Sequence, residues 1–168
     1  MFERILKEID VALENDLYYV ALFTALTLPD ICGALDSQHG EASKDSYIAW
    51  FDTYVKPHTG NHFNGFECYS FRCSMLHQGR VQHPPRLRYE KVLFLDPIRF
   101  NAVHDVVVDR VLYIDIFLLT YAMTRYAREW YERVRDTPRF KANYSKFAGY
   151  RRWTMPVEIG MEHAWVIG

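Results

Sequence analysis

Phe2, Ile5, Leu6, Ile9, Leu13, Leu17, Val20, Ala21 and Thr24 recur at helical spacing, with Glu3, Lys7, Glu8, Asp10 and Glu14 on the opposite side. That period predicts one long amphipathic helix at the start of the chain. Pro29 suits the first turn of a short helix ending near Leu35. Lys44 to Val55 repeats the helical pattern through Tyr47, Ile48, Phe51 and Tyr54 or Val55, and Pro57 and Gly60 read as its stop. After a loop over 58–65, a helix is predicted from about Phe66 to Gln78, closed by Gly79. Beyond Pro84-Pro85 the period changes from helical to alternating. Leu87 to Leu95 therefore reads as a strand, and Ala102 to Val108 as its hairpin partner across a loop over 97–101. Val111 to Arg135 reads as a second long helix with Leu112, Ile116, Leu119, Met123, Tyr126 or Ala127, Trp130 and Val134 on its buried stripe. Pro138 opens a last helix to about Phe147, and the tail from Trp153 has no clear period.

These elements fill 168 residues of which 49% are hydrophobic and 16% aromatic, enough for a single domain with a sizeable core. Net charge is only -1, so overall charge does not mark a nucleic-acid binder. The distribution says more: between Tyr121 and Arg152 nine Lys or Arg face three acidic residues, a local excess of +6. Within that stretch Arg125, Arg128, Arg135 and Arg139 interleave with Tyr121, Tyr126, Trp130, Tyr131 and Phe140, a mixture suited to holding phosphates and stacking bases. The same pattern also describes a solvated helix face whose aromatics belong to the core. Cys32, Cys68 and Cys73 lack the spacing of a secreted disulfide framework, and no signal peptide is apparent, which together predict a cytoplasmic protein. Val111 to Met123, interrupted by Asp115, falls short of the roughly 20 residues a membrane span needs, so no membrane is expected among its partners.

The candidate chemistry lies in the last turns of the predicted 66–78 helix, Arg72-Cys73-Ser74-Met75-Leu76-His77. Arginine grips a phosphate through a rigid fork of donors, and histidine exchanges protons near neutral pH. Residues five apart on an α-helix are rotated by about 140°, so the two would flank a groove. RNA carries its own nucleophile in the 2′-hydroxyl, so an acid-base group and a phosphate-stabilising cation suffice for cleavage. Another reading has Arg72 paired with an acid such as Glu67 and His77 capping helix carbonyls. Cys73 and His77 also have the i, i+4 spacing of metal ligands, with His58, His62 and His83 close in sequence, but no CxxC or HExxH pattern completes a set of four. Neither a metal nor another cofactor is therefore expected. No phosphate-binding GxxxxGK[ST] loop, GxSxG elbow or dinucleotide fingerprint is present.

Arg-x4-His near a helix end, led by Cys68-Tyr69-Ser70-Phe71 and closed by Leu76-His77-Gln78-Gly79, resembles the signature of HEPN (higher eukaryotes and prokaryotes nucleotide-binding) domains. The resemblance implies a mainly α fold, an HEPN-like helical bundle over residues 1–168, into which the alternating segment at about 87–108 inserts as a small β-hairpin. It further implies a metal-independent endoribonuclease of toxin or phage-defence type, with Arg72 and His77 catalytic and Cys73, Ser74 and Gln78 supporting them. The implied assembly is a homodimer whose motif helices meet, with RNA as substrate and an antitoxin or other defence-system protein as a further partner. Cys73 departs from the Asn, Asp or His that often follows the arginine in active members. That departure keeps a second reading open, a catalytically silent module that binds RNA, nucleotide or protein.

Overall fold

The computed structural model describes residues 1–80, 88–96, 103–156, 159–161 and 163–167. His83, Pro84-Pro85, the start of the predicted 87–95 strand and the 97–101 loop lie outside them. The fold is mainly α with a small β insertion. Helix α1 (Phe2–Glu14) buries Phe2, Leu6, Ile9, Ala12 and Leu13, the stripe that its period predicts. The first helix does not run on to Thr24. The chain breaks after α1 because Asp16 adopts φ of 58°, a left-handed conformation that Asp tolerates better than most side chains, and restarts as α2 (Tyr18–Ala25). Helix α3 (Leu28–Asp36) opens on Pro29 as predicted, and α4 (Lys44–Tyr54) begins on a capping box in which Ser43 and Ser46 satisfy each other's backbone N–H groups. Pro57 does not end this region; it sits in the first turn of a short helix, α5 (Lys56–Thr59).

Three helices stack closely enough to fix the candidate site. A Cβ at Gly33 of α3 would stand 2.8 Å from Ser46 Oγ on α4. Helix α6 (Gly65–Gln78) starts at Gly65, where a Cβ would stand 2.6 Å from the Ile48 carbonyl oxygen of α4. At the centre of the stack the buried Tyr47 hydroxyl donates to the Leu26 carbonyl at 3.1 Å and lies 3.3 Å from Cys68 Sγ. Burial pushes both groups up in pKa, Cys68 to about 12. At this depth neither the phenol nor the thiol ionises in the neutral range.

The sheet differs from the predicted hairpin. Strand β1 (Lys91–Leu95) pairs in parallel with β3 (Val111–Asp115), and β2 (Val106–Val108) pairs antiparallel with the other edge of β3. The order is β1-β3-β2, so β1 and β2 are not partners. The tight hairpin is β2-β3, turned by Asp109 and Arg110 at φ of 46° and 62°, the double positive φ of a type I′ turn. Val111 to Asp115, expected as helix, is thus the central strand. Helix α7 (Ile116–Val134) follows at once, with Asp115 as its N-cap accepting from the Leu118 N–H at 2.9 Å. It packs on α1, α2, α3, α4 and α5 through Ile116, Leu119, Met123, Ala127 and Trp130.

The insertion is tied to the loop before α6. The Asp105 carboxylate accepts from the backbone N–H groups of Asn61, His62 and Phe63. His104 bridges the Thr59 carbonyl and the Asp115 N–H, which reads as a ring protonated on Nε2. Helix α8 (Pro138–Tyr144) and an antiparallel pair, β4 (Tyr150–Thr154) with β5 (His163–Ile167), complete the chain. The tail therefore carries strands where no period was visible. Tyr18–Asp36, at mean hydropathy 1.4, is long and apolar enough by length and composition to cross a membrane, unlike the shorter Val111 to Met123 run. In the fold this segment is α2 and α3, half buried against α1, α4, α7 and α8.

Candidate active site at the end of helix α6

Helix α6 is specified at both ends. Asn64 and Glu67 form a capping box at its start. At its end Gly79 takes φ of 62°, its N–H reaching the Met75 carbonyl while the Arg80 N–H reaches that of Ser74. Between these caps Cys68, Phe71 and Met75 face the core, which turns Phe66, Ser70, Cys73 and His77 outward and leaves Arg72 on the flank beside α3.

There Arg72 meets Asp30, the only charged residue between Leu17 and Leu35. Arg72 Nη2 lies 2.7 Å from Asp30 Oδ2, with both side chains about four-fifths buried (21% and 20% exposed). The approach is angled away from an ideal hydrogen bond, so charge attraction holds it. Burial lifts the Asp30 carboxyl above its ordinary pKa, only partly offset by Arg72. For Arg72, burial works against the charged form, but Asp30 and Cys73 outweigh it and hold the guanidinium above its ordinary value. The arginine is thus paired with an acid, but that acid is Asp30. Glu67 is instead used in the α6 cap, and its pKa is raised by burial.

The other edge of the guanidinium points along α6. Arg72 Nη1 is 3.5 Å from His77 Nε2 and 3.8 Å from Cys73 Sγ. The two motif side chains do not stand apart across a groove: the length of arginine spans the helical rotation, and their ends meet over Cys73. Because guanidinium has only donors, the contact requires His77 Nε2 to accept. His77 is exposed and Cys73 half-buried. Tyr69 lies beside them, its phenol raised in pKa first by a hydrogen bond with Cys73 and then by burial. Among the described residues, neither the Ser74 nor the Gln78 side chain makes a hydrogen bond, and no three His, Cys, Asp or Glu side chains converge as metal ligands. His58 stacks on Tyr126 at 4.0 Å, and His62 Nδ1 lies 3.4 Å from the Tyr89 hydroxyl.

The basic residues of α7 and α8 form a separate surface. Arg125 pairs with Glu129 at 3.1 Å, Arg128 with Asp10 at 2.6 Å, Arg135 with Glu132 at 3.2 Å, and Arg139 with Asp36 at 3.9 Å. Arg125, Arg128 and Arg133 line a shallow depression together with Glu129 and Glu132, so the charges alternate there.

Asp30 and Lys44 are the residues that sequence reasoning missed. A lone acid in a long apolar segment signals a buried partner, and that signal was present. Lys44 carries no such sign; only the fold brings its ammonium over the α6 rings. No protein-family model matches the chain, nor does any curated protein or solved structure.

Proposed function

We propose that the chain is an HEPN-like, metal-independent endoribonuclease of toxin or defence type, with Arg72 and His77 as its catalytic pair. The observation that carries this reading is the 3.5 Å contact between Arg72 Nη1 and His77 Nε2, with Asp30 gripping the opposite edge of the guanidinium. Arg72 is positioned to neutralise a phosphate whose attacking 2′-hydroxyl gives its proton to His77 Nε2. Phosphate binding draws the guanidinium off His77 and so frees the single Nε2 lone pair, which Arg72 occupies in the free protein, to take that proton. The leaving 5′-oxygen needs a proton from a second group. A homodimer in which the exposed ends of two α6 helices meet supplies it as the partner's copy of the same histidine. The products are a 2′,3′-cyclic phosphate and a 5′-hydroxyl. The three cysteines are free, in keeping with a cytoplasmic site of action, where an antitoxin or similar partner would restrain the enzyme. Cys73 supports a second reading, a silent RNA- or protein-binding module, since a thiol is a weaker hydrogen-bond partner for Arg72 than an amide or carboxylate.

Incubating the purified protein with total RNA in EDTA decides between them. Cleavage by the wild type and none by folded His77→Ala supports the enzyme. Binding without cleavage supports the module, and undiminished cleavage by His77→Ala ends the assignment.

A further inference from the structure

Lys44, Phe66 and Tyr69 form a second chemical surface next to the catalytic pair. Lys44 stands exposed at the start of α4, with Nζ 4.7 Å from the centre of the Phe66 ring and 5.9 Å from that of Tyr69. The Arg72 guanidinium carbon lies 6.0 Å from the same Tyr69 ring. Tyr69 is fixed in turn by its edge contact with the buried Tyr47 at 5.3 Å. Phe66 is 41% exposed at the first turn of α6, where a large apolar ring has no core to fill. Cation and ring therefore alternate without a gap from Phe66 through Lys44, Tyr69 and Arg72 to His77. At a rise of 1.5 Å per residue this row is about 16 Å long. Among the described residues Lys44 makes no ion pair, in contrast to the arginines of α7, so its charge is available to an anion.

We propose that this row is the track for single-stranded RNA, with Phe66 and Tyr69 stacking bases, Lys44 contacting the backbone phosphate between them, and Arg72 receiving the scissile phosphate. The track rests on the ribonuclease reading for its direction, since it leads to His77. Exposed rings beside cations bind unpaired strands, whose bases are free to stack; duplex RNA keeps its bases engaged with each other. The phosphate chain supplies the negative charge that Lys44 and Arg72 match.

Fluorescence anisotropy with a labelled, uncleavable 2′-O-methyl oligouridine separates binding from chemistry. Phe66→Ala should weaken binding by about 5- to 150-fold, the range for one base-aromatic stack. Lys44→Gln should lower affinity and reduce the salt slope by about 0.7, one phosphate contact on a single strand. Lys7→Gln, which removes the same charge from exposed α1, should change neither. A duplex competitor should displace the probe poorly. Unchanged affinity and salt slope in both Phe66→Ala and Lys44→Gln would overturn the track, as would conversion of a dimer to a monomer by Phe66→Ala with RNA affinity intact, which would make the face a protein contact. The two readings fail separately. A wild type that binds the probe through Phe66 and Lys44 but leaves RNA whole retains the track and loses the enzyme; cleavage that needs His77 but not Phe66 or Lys44 does the reverse.

Discussion

Arg72 on α6 and Arg125, Arg128, Arg135 and Arg139 on α7 and α8 carry the same guanidinium in two settings. The second group lies on the surface, each arginine against a carboxylate that is itself exposed. Such pairs contribute little to stability, are screened by salt, and present a phosphate with acids as well as bases. Arg72 is mostly buried, held on one edge by Asp30 and aimed at His77 with the other. The number of basic residues in a stretch is thus a poor guide to where a phosphate would bind. What matters is whether the charge is fixed and which groups it faces.

The largest effect should come from removing Arg72 itself. Arg72→Ala should reduce RNA cleavage by about 10² to 10³-fold, the usual loss for one preorganised donor at a transition state. Arg125→Ala with Arg128→Ala should leave cleavage of saturating RNA unchanged. Equal losses in the two variants, measured as initial rates on one substrate, would erase the distinction between the surfaces.

A substitution far from the chemistry sharpens the same contrast, because the setting of Arg72 depends on how closely α3, α4 and α6 stack. Gly65→Ala places a Cβ against the Ile48 backbone and should destabilise the fold by about 1 to 3 kcal/mol, as overpacking does. Thermal denaturation reads this directly. An unshifted melting temperature would mean that the helices separate at little cost and do not clamp the site.

Asp30→Asn keeps the shape of the carboxyl but removes its charge. It should lower cleavage by about tenfold, equivalent to about 1.4 kcal/mol of lost charge attraction, by leaving Arg72 loosely oriented. Asp10→Asn, which frees Arg128 in the same way, should have no such effect. If both or neither slow the enzyme, Asp30 is not a positioning residue.

The smallest effect is a pH dependence of stability. Burial raises the Asp30 carboxyl, so the folded state binds that proton more tightly than the unfolded state does. Its stabilising contribution is complete below the ordinary carboxylate range and is lost as pH rises through the higher folded-state value. Glu67 acts with the same sign. Melting temperatures from about pH 4 to 7 should therefore fall less steeply for Asp30→Asn than for the wild type, with the remaining slope from Glu67. Parallel curves would show that Asp30 does not titrate in this window.

Much of the helical frame was legible in the residues. Pro29, the Lys44 to Val55 period and Gly79 mark α3, α4 and the end of α6 within a residue or so, because each is a local signal. The misread elements are those in which a local signal has two meanings. Asp16 sits in an unbroken apolar period yet takes the left-handed turn that separates α1 from α2. Val111 to Ile114 is a short apolar run that strand and helix share, and Asp115, which looks like an interruption of a helix, is the cap that begins α7. Parallel pairing of β1 with β3 is a long-range choice that no local pattern encodes. In the candidate site, spacing and the HEPN resemblance single out Arg72 and His77, but the contact between their ends depends on the reach of the arginine, which spacing alone does not encode. Asp30, on another helix, becomes their neighbour only through the Gly33 and Gly65 contacts.

The central claim is that Arg72 and His77 cleave RNA through its own 2′-hydroxyl, and paired oligonucleotides of one sequence test it most directly. In EDTA, the ribose strand should be cut to fragments ending in 2′,3′-cyclic phosphate and beginning with a 5′-hydroxyl, while the 2′-O-methyl strand stays whole. Mass spectrometry of the products distinguishes these ends. Cleavage of the 2′-O-methyl strand, or an intact ribose strand at enzyme concentrations that saturate it, would contradict the account.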